Sequence, residues 1–166
     1  MKKITIIVAS VGKNLELALE VQKILESKDI EVSLLNVVEM NLPLYTSKAD
    51  AIHSAEKLMS PFREELNAEG FVFIAPEYNG GPPPAFNNFI AWVSRSTKNW
   101  REAFSSKPAM LASHSGGAGM QAVLIMRLML SFIGMNVMGR QIVSSLNKPS
   151  QHEELNKVCD EFIRVF

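Results

Sequence analysis

Apolar and polar positions follow one another along this chain in blocks that predict strands and helices in turn. Continuous apolar runs at residues 4–9 and 71–75 predict strands buried on both faces, and three further strands are predicted at residues 30–38, 108–113 and 136–143. Apolar residues at helical spacing predict helices over residues 14–28, 52–66, 84–97, 120–133 and 150–165. Pro61 falls inside the second helix, where we expect a kink or a new helical segment.

Five strands that alternate with helices indicate a doubly wound α/β sheet. The length of 166 residues suits one domain, expected to span residues 1–166, and leaves no room for a separate nicotinamide-binding domain. Ligands of such sheets bind beyond the carboxyl ends of the strands. The loops after the first, third and fourth strands are therefore the candidate site.

Charge and cysteine content narrow the classes of function. Lys and Arg number 17, as do Asp and Glu, so the net charge is zero, which argues against a nucleic-acid binder and against a strongly acidic electron shuttle. The single cysteine, Cys159, excludes internal disulfides and a cysteine-based metal cluster. No apolar run is long enough to span a membrane, and we expect a soluble cytoplasmic domain.

The first loop runs from Ser10 to Leu15 and joins a buried strand to the start of a helix. Free backbone N–H groups and the helix dipole at such a position favour an anion, most often a phosphate. Ser10 and Asn14 can donate further hydrogen bonds, and Lys13 adds positive charge. Taken alone, the loop is equally compatible with an ordinary strand-to-helix turn.

The second and third loops are rich in residues that shape a backbone. Residues 76–84 contain three prolines and two glycines, and Tyr78 and Asn79 offer a flat face and donors that suit the edge of a planar heterocycle. A structural corner is the alternative. Residues 113–119 are small, so a ligand can approach their backbone. The lone His114 within them is typical of a hydrogen-bonded or solvated side chain, and a charge beside a ligand is the alternative.

A motif in the second loop is specific. Pro76, Glu77, Tyr78, Asn79 and Gly80 are followed at fixed spacing by Pro83, Asn88, Ile90, Trp92, Ser94 and Arg95. This pattern resembles the NADPH-dependent FMN reductase family. The Lys107-Pro108 strand start, the Ser/Gly loop and the helix with Arg127 before Phe132-Ile133-Gly134 agree with the same family.

The resemblance implies a flavodoxin-like three-layer α/β/α sandwich with a five-stranded parallel sheet of order 2-1-3-4-5. It implies bound FMN, with NAD(P)H as co-substrate and a flavin, quinone or similar small molecule as acceptor. The flavin carries the redox chemistry, so no catalytic side chain is expected. The phosphate would lie near Ser10, Lys13, Asn14 and Leu15, and the ring would be held by Pro76, Glu77, Tyr78, Asn79, Gly80, Ser113, His114, Ser115, Gly116 and Gly117.

The chain departs from the family pattern in its phosphate loop. Gly12 stands where the family has Arg, which removes a bidentate phosphate contact, and Lys13 would substitute as a point charge. Pro84, Asn87, Ala91 and Gln121 also differ from the residues usual at their positions. The missing Arg makes a non-catalytic flavin-binding module one alternative to an enzyme. A flavodoxin-type electron carrier is the other alternative, and the neutral net charge and the apolar helix at residues 120–133 argue against it.

The helix predicted at residues 120–133 is apolar nearly all round, with Gln121, Arg127 and Ser131 as its polar residues. Such a helix must be buried on more than one side. We expect one side to meet the sheet and the other to meet a second subunit, at the Trp92 face of the neighbouring helix, in a homodimer or homotetramer. Cys159 lies on the apolar stripe of the last helix and is expected in the core.

Overall fold

The structure, a computed structural model, describes residues 2–117 and 119–165. Within them a parallel sheet contains six strands: β1 (Lys3–Val8), β2 (Glu31–Asn36), β3 (Gly70–Ile74), β4 (Pro108–His114), β5 (Asn136–Val137) and β6 (Ile142–Ser144). The order is β2-β1-β3-β4-β5, and β6 pairs with β4 farther along the same edge. The predicted parallel order 2-1-3-4-5 is confirmed.

Helices cover both faces of this sheet: α1 (Lys13–Glu26), α2 (Ser47–His53), α3 (Ala55–Met59), α4 (Arg63–Leu66), α5 (Pro84–Ser96), α6 (Met120–Phe132) and α7 (His152–Ile163). Strand β3 shows why two layers of helices are needed. Phe71 and Phe73 enter a core shared with α3, α5 and α6, whereas Val72 and Ile74 enter a core shared with α1 and α7. Every residue of β3 is buried, as expected for a parallel strand between two helical layers.

The helix predicted over residues 52–66 is divided in the structure. Ser54, with a φ of 60°, separates α2 from α3, and the side chain of Asp50 accepts a hydrogen bond from the Ala55 N–H at 3.1 Å. Pro61 then lies in a 3₁₀ turn, Ser60–Phe62, that precedes α4. The break at Pro61 is confirmed. The break at Ser54 was not predicted, and the predicted start at Ile52 is wrong because α2 begins at Ser47.

The fifth strand, predicted as continuous over residues 136–143, is interrupted. The Met138 N–H still donates to the Ala109 carbonyl of β4 at 2.9 Å, but residues 139–141 leave the sheet between β5 and β6, and the main chain of this segment turns toward Arg127 of α6. The guanidinium donates hydrogen bonds to the carbonyl oxygens of Met138 and Gly139, at 2.8 and 3.3 Å, and to the side-chain oxygen of Gln141 at 2.8 Å. A long-range charged donor therefore takes the place of strand pairing in this segment.

Trp92 does not reach the surface, so its predicted place in a subunit interface is wrong. Its side chain is fully buried, and its indole N–H donates to the carbonyl oxygen of Pro43 at 2.6 Å. Its ring meets that of Tyr45 edge to face, with the centroids 5.1 Å apart. Trp92 thus anchors the segment after β2 to α5 within one chain.

Cys159 lies in the core between α7 and the sheet, as predicted. Burial raises the pKa of its thiol to about 12, which keeps the sulfur protonated and unreactive at neutral pH. No helix of residues 2–117 and 119–165 is both long and apolar enough to cross a membrane.

The contacts of Arg127 generate a prediction about stability. We expect Arg127→Ala to lower the free energy of unfolding by about 2 kcal/mol, because several charge-assisted hydrogen bonds to partly buried carbonyls are lost together. Urea unfolding followed by circular dichroism measures this. Arg140→Ala is the matched control, since Arg140 lies in the same segment but makes an exposed ion pair with Glu161, worth at most about 1 kcal/mol. Equal losses in the two variants would contradict the assignment.

Candidate functional site

The loops that follow β1, β3 and β4 meet at the carboxyl edge of the sheet, where two sets of hydrogen bonds tie them together. The Asn14 side chain, at the start of α1, donates to the carbonyl oxygen of His114 at 2.8 Å and accepts from the His114 N–H at 2.7 Å. The N–H of Glu77, after β3, donates to the Ser115 hydroxyl at 2.6 Å. The three loops predicted to form one site are therefore adjacent.

The first loop presents main-chain donors. The Ser10 hydroxyl accepts from the Gly12 N–H at 3.1 Å, and the Leu15 N–H donates to the Gly12 carbonyl at 2.8 Å. Among the described residues, nothing accepts from the N–H groups of Lys13 and Asn14, and the helix has no side-chain cap. Unsatisfied N–H groups at the positive end of a 14-residue helix suit an anion such as a phosphate.

The side chains of Lys13 and Asn14 differ from the roles predicted for them. The Lys13 ammonium lies 2.7 Å from the carboxylate of Glu16, so its charge is already paired on the exposed surface of α1. Asn14 is buried, and both of its side-chain polar atoms bond the His114 main chain. Both residues lie at the loop as predicted. Their side chains already have partners, so the donors that could bind a ligand there are their main-chain N–H groups.

The second loop folds into a tight hairpin. Tyr78 and Gly81 exchange main-chain hydrogen bonds of 2.8 and 3.1 Å, and the two residues between them, Asn79 and Gly80, have φ angles of 51° and 79°. Two successive positive φ angles are those of a type I′ turn, which Asn-Gly favours. The Tyr78 side chain is 58% exposed beside Pro76, which is buried. The hairpin is therefore a tight turn that carries a largely exposed aromatic side chain.

Glu77 performs a task that the sequence did not suggest. Its carboxylate accepts from the N–H groups of Gln121 and Ala122, at 3.0 and 3.3 Å, and so caps the first turn of α6. Gly119, which precedes that helix, has no side chain with which to cap it. The predicted ring-binding residue is thus also the residue that satisfies the start of a neighbouring helix.

The third loop is open on its outer side. A Cβ atom at Gly116 would meet nothing within 4 Å, and one at Gly117 would meet only an oxygen of Glu77, at 3.9 Å. At the inner end of the loop, Ser113 is fully buried, and its hydroxyl has no hydrogen-bond partner among the described residues. The backbone at residues 116–117 is consequently bare enough for a flat ligand to approach it.

His114 is a hydrogen-bonded side chain, in line with the behaviour that the residues alone favoured. Its Nδ1 atom lies 3.0 Å from the hydroxyl of Ser144, at the end of β6. Sequence reasoning missed Ser144 and also Asn36, whose side-chain amide donates to the Ser10 carbonyl at 3.0 Å. Both are polar residues at the carboxyl ends of strands, a signal available in the sequence once the strand ends are known.

Of three clefts on the described part of the chain, two lie away from these loops and one adjoins the first and third loops. Two clefts of about 500 and 830 Å³ lie along α2, α3 and α5, remote from the glycine loop. A smaller cleft of about 290 Å³ adjoins Lys13 and His114, between α1 and the segment after β6. None of these three clefts includes residues 76–81 or 116–117, so that part of the candidate site is exposed loop rather than cavity wall.

FMN fits what the three loops offer. Free N–H groups at the start of α1 match its phosphate, and the exposed hairpin and the bare glycine backbone match a planar ring. When bound, the flavin supplies the redox chemistry. The protein residues would hold the phosphate, orient the ring and limit the solvent around it.

Comparisons with known proteins agree with this fit. Residues 2–149 match the family model of the NADPH-dependent FMN reductases. The chain is 26% identical over 123 residues to an uncharacterized protein of Mycoplasma pneumoniae, an alignment that covers 70% of this chain and 73% of that protein. It is 30% identical over 79 residues to an NADPH:quinone oxidoreductase of Arabidopsis thaliana, which covers 47% of this chain and 38% of that enzyme.

Solved structures show the fold. The FerB flavoenzyme of Paracoccus denitrificans, an NAD(P)H:(acceptor) oxidoreductase, superposes with a TM-score of 0.77 at 20% identity, over 99% of this chain and 96% of that one. An archaeal flavodoxin superposes with a TM-score of 0.67 at 17% identity, over 99% of both chains. The predicted flavodoxin-like architecture is confirmed.

The double hydrogen bond of Asn14 generates a prediction about the site. We expect Asn14→Ala to lower the free energy of unfolding by about 2 kcal/mol, because a buried main-chain donor and acceptor both lose their partner. We expect it also to weaken FMN binding about tenfold, since the first and third loops are no longer held together. Chemical unfolding and titration of flavin fluorescence measure the two effects.

Two further variants separate this bridge from a general loss of polarity. Asn14→Asp keeps a polar side chain but loses the donor and sets a nearly buried carboxylate against the His114 carbonyl and the phosphate position, so it should bind FMN no better than Asn14→Ala does. Asn147→Ala removes an exposed amide from the loop before α7 and should change neither quantity. An Asn14→Ala variant with wild-type stability and FMN affinity would show that the bridge does not organise the site.

Proposed function

The chain belongs to the family of NADPH-dependent FMN reductases, and we propose that it passes electrons from NAD(P)H, through bound FMN, to a small acceptor such as free flavin or a quinone. Family membership confirms the FMN cofactor and the NAD(P)H oxidoreductase class that the motifs predicted. An NADH-dependent flavin reductase subunit of Lactobacillus johnsonii, 29% identical over 77 residues, covering 46% of this chain and 40% of that protein, supports the acceptor class.

One observation carries the assignment of the site: the uncapped start of α1, the Tyr78–Gly81 hairpin and the bare backbone of residues 116–117 lie on one edge of the sheet. The phosphate is held by the N–H groups of residues 13 and 14 and by Ser10, with Leu15 beside them. The ring is held by the hairpin and its flanking residues (Pro76, Glu77, Tyr78, Asn79 and Gly80) and by the third loop (Ser113, His114, Ser115, Gly116 and Gly117).

Titration with FMN followed by anaerobic reduction tests this function. We expect purified protein to quench the fluorescence of micromolar FMN and to gain thermal stability when FMN is added. The bound flavin should then lose its visible absorbance when NADPH or NADH, added separately, reduces it, and steady-state kinetics with a quinone should be ping-pong, because donor and acceptor use one site in turn. Bound flavin that neither nucleotide reduces would favour an electron carrier or a non-catalytic flavin-binding module.

A substitution in the third loop tests whether the flavin ring lies against that loop. Gly116→Leu adds a side chain where a Cβ meets nothing within 4 Å, so the fold should tolerate it while FMN affinity falls at least about tenfold. Gly139→Leu is the matched control, because a Cβ there is equally unobstructed but lies outside the three loops. Equal FMN affinity in the two variants would move the ring away from residue 116.

We propose also that the protein is a homo-oligomer whose interface is the outer face of α6. Met120, Leu124, Leu128 and Phe132 recur at four-residue spacing and are 40, 54, 72 and 80% exposed. Such a ridge can interdigitate with the same ridge of a second copy. A Cβ at Gly81 would lie 3.6 Å from Ile125, so the interface would begin beside the hairpin of the flavin site.

A cytoplasmic location stays a prediction.

Charge on this face tests the interface. We expect wild-type protein to have two or four times the mass of one chain by light scattering at tens of micromolar. The double variant Leu128→Glu/Phe132→Glu should have the mass of one chain, because it buries carboxylates in any contact that uses this ridge. Leu19→Glu, at a 45% exposed leucine of α1, should leave the mass unchanged. A monomeric wild type would overturn the proposal.

A further inference from the structure

Glu77 touches the third loop at both of its ends. Its N–H donates to the Ser115 hydroxyl at 2.6 Å, where the loop leaves β4. Its Oε2 atom accepts from the N–H groups of Gln121 and Ala122, where the loop enters α6. One residue of the hairpin loop therefore contacts the third loop on both sides of the bare glycine backbone, at points six and seven residues apart in sequence.

The second carboxylate oxygen of Glu77 is directed at that backbone. Oε1 would be 3.9 Å from a Cβ built at Gly117, and it accepts no hydrogen bond from any of residues 2–117 and 119–165. Oε2, in contrast, is committed to the helix. One oxygen of the carboxylate thus caps α6, and the other lies at the face on which the flavin ring would lie.

The charge of Glu77 is balanced by a helix rather than by a cation. The side chain makes no ion pair within the described part of the chain, and its partners are the N–H groups in the first turn of α6. The start of a helix carries roughly half a positive charge. The Glu77 carboxylate and the start of α6 together therefore keep a net negative charge at the glycine loop. Removing the carboxylate charge would leave the positive end of the helix uncompensated.

We propose that Glu77 is a positioning residue whose fixed negative charge lowers the reduction potential of the FMN held by these loops. The proposal rests on the proposed function. Reduction adds negative charge to the ring, and a carboxylate nearby opposes that charge at the low effective dielectric of a protein edge. A lower potential makes the reduced flavin a stronger donor to quinones or free flavin.

The variant Glu77→Gln tests the charge while it keeps the clamp, because an amide oxygen can still accept from Gln121 and Ala122. We expect reduced FMN to gain about tenfold in affinity relative to oxidised FMN, which raises the two-electron midpoint potential by about 30 mV. Equilibration with a reference dye measures the potential, fluorescence titration measures the affinity for oxidised FMN, and thermal unfolding of the apoprotein measures the clamp.

Glu153→Gln is the matched control, because Glu153 also lies in the first turn of a helix, α7, but is exposed and pairs with Lys157. Its midpoint potential should equal that of the wild type. Glu77→Asp keeps the charge with a shorter reach, and should keep the potential while FMN binds more weakly. If Glu77→Gln does not fold, Glu77→Asp tests the role of the charge in its place. A tenfold change in the affinity of Glu77→Asp for reduced FMN relative to oxidised FMN would contradict that role.

Two results would overturn the inference. One is a midpoint potential of Glu77→Gln that moves no more than that of Glu153→Gln. The other is complete loss of FMN from a stably folded Glu77→Gln, which would make the carboxylate a direct ligand rather than a positioning group. Failure of the wild-type protein itself to bind FMN is a different outcome, since it would remove the proposed function before the potential could be compared.

Discussion

The burial of the central strands on both faces is the constraint on which the rest of this molecule depends. Strands β1 and β3 are enclosed between two helical layers, so their buried side chains are almost all apolar. The buried polar exception is Thr5 of β1, whose hydroxyl donates to the Glu65 carbonyl at 2.7 Å. Polar groups are displaced to the carboxyl ends of the strands, where the main chain still needs partners. The loops obtain those partners from one another, as the bond pair between Asn14 and His114 and the contact of Glu77 with Ser115 show.

The same constraint explains which parts of the fold were predictable. β1, β3 and β4 were located to within one residue at each end, because burial on both faces leaves a continuous apolar run. The break between β5 and β6 left no comparable trace, since it depends on a guanidinium from α6 that replaces strand pairing. Trp92 was placed wrongly for a related reason: its position on the helix is apolar either way, and the Pro43 carbonyl that buries it lies 49 residues away.

The site was predictable as a location but not as a set of roles. A strand end, a loop rich in proline and glycine and a loop of small residues are local signals, and these loops lie at the predicted strand ends. The Asn-Gly turn within the second loop was not predicted. What Asn14 and Glu77 do is decided by partners 100 and about 44 residues distant, which no local pattern encodes. Lys13 illustrates a different case: it was predicted to contact the phosphate, although its partner Glu16 lies only three residues away, a spacing at which helix side chains meet.

The two helix starts at the site differ in capping, and this difference bears on how the proposed FMN would be oriented. The start of α1 has no side-chain cap, so its N–H groups and its partial positive charge are available to a phosphate. The start of α6 is already occupied by the carboxylate of Glu77, so a second anion there would meet both a filled cap and a negative charge. In the site that we propose for FMN, this asymmetry favours the phosphate at α1 and the ring toward α6. Because the chain has no net charge, such local groups rather than a broad electrostatic field would orient the proposed cofactor.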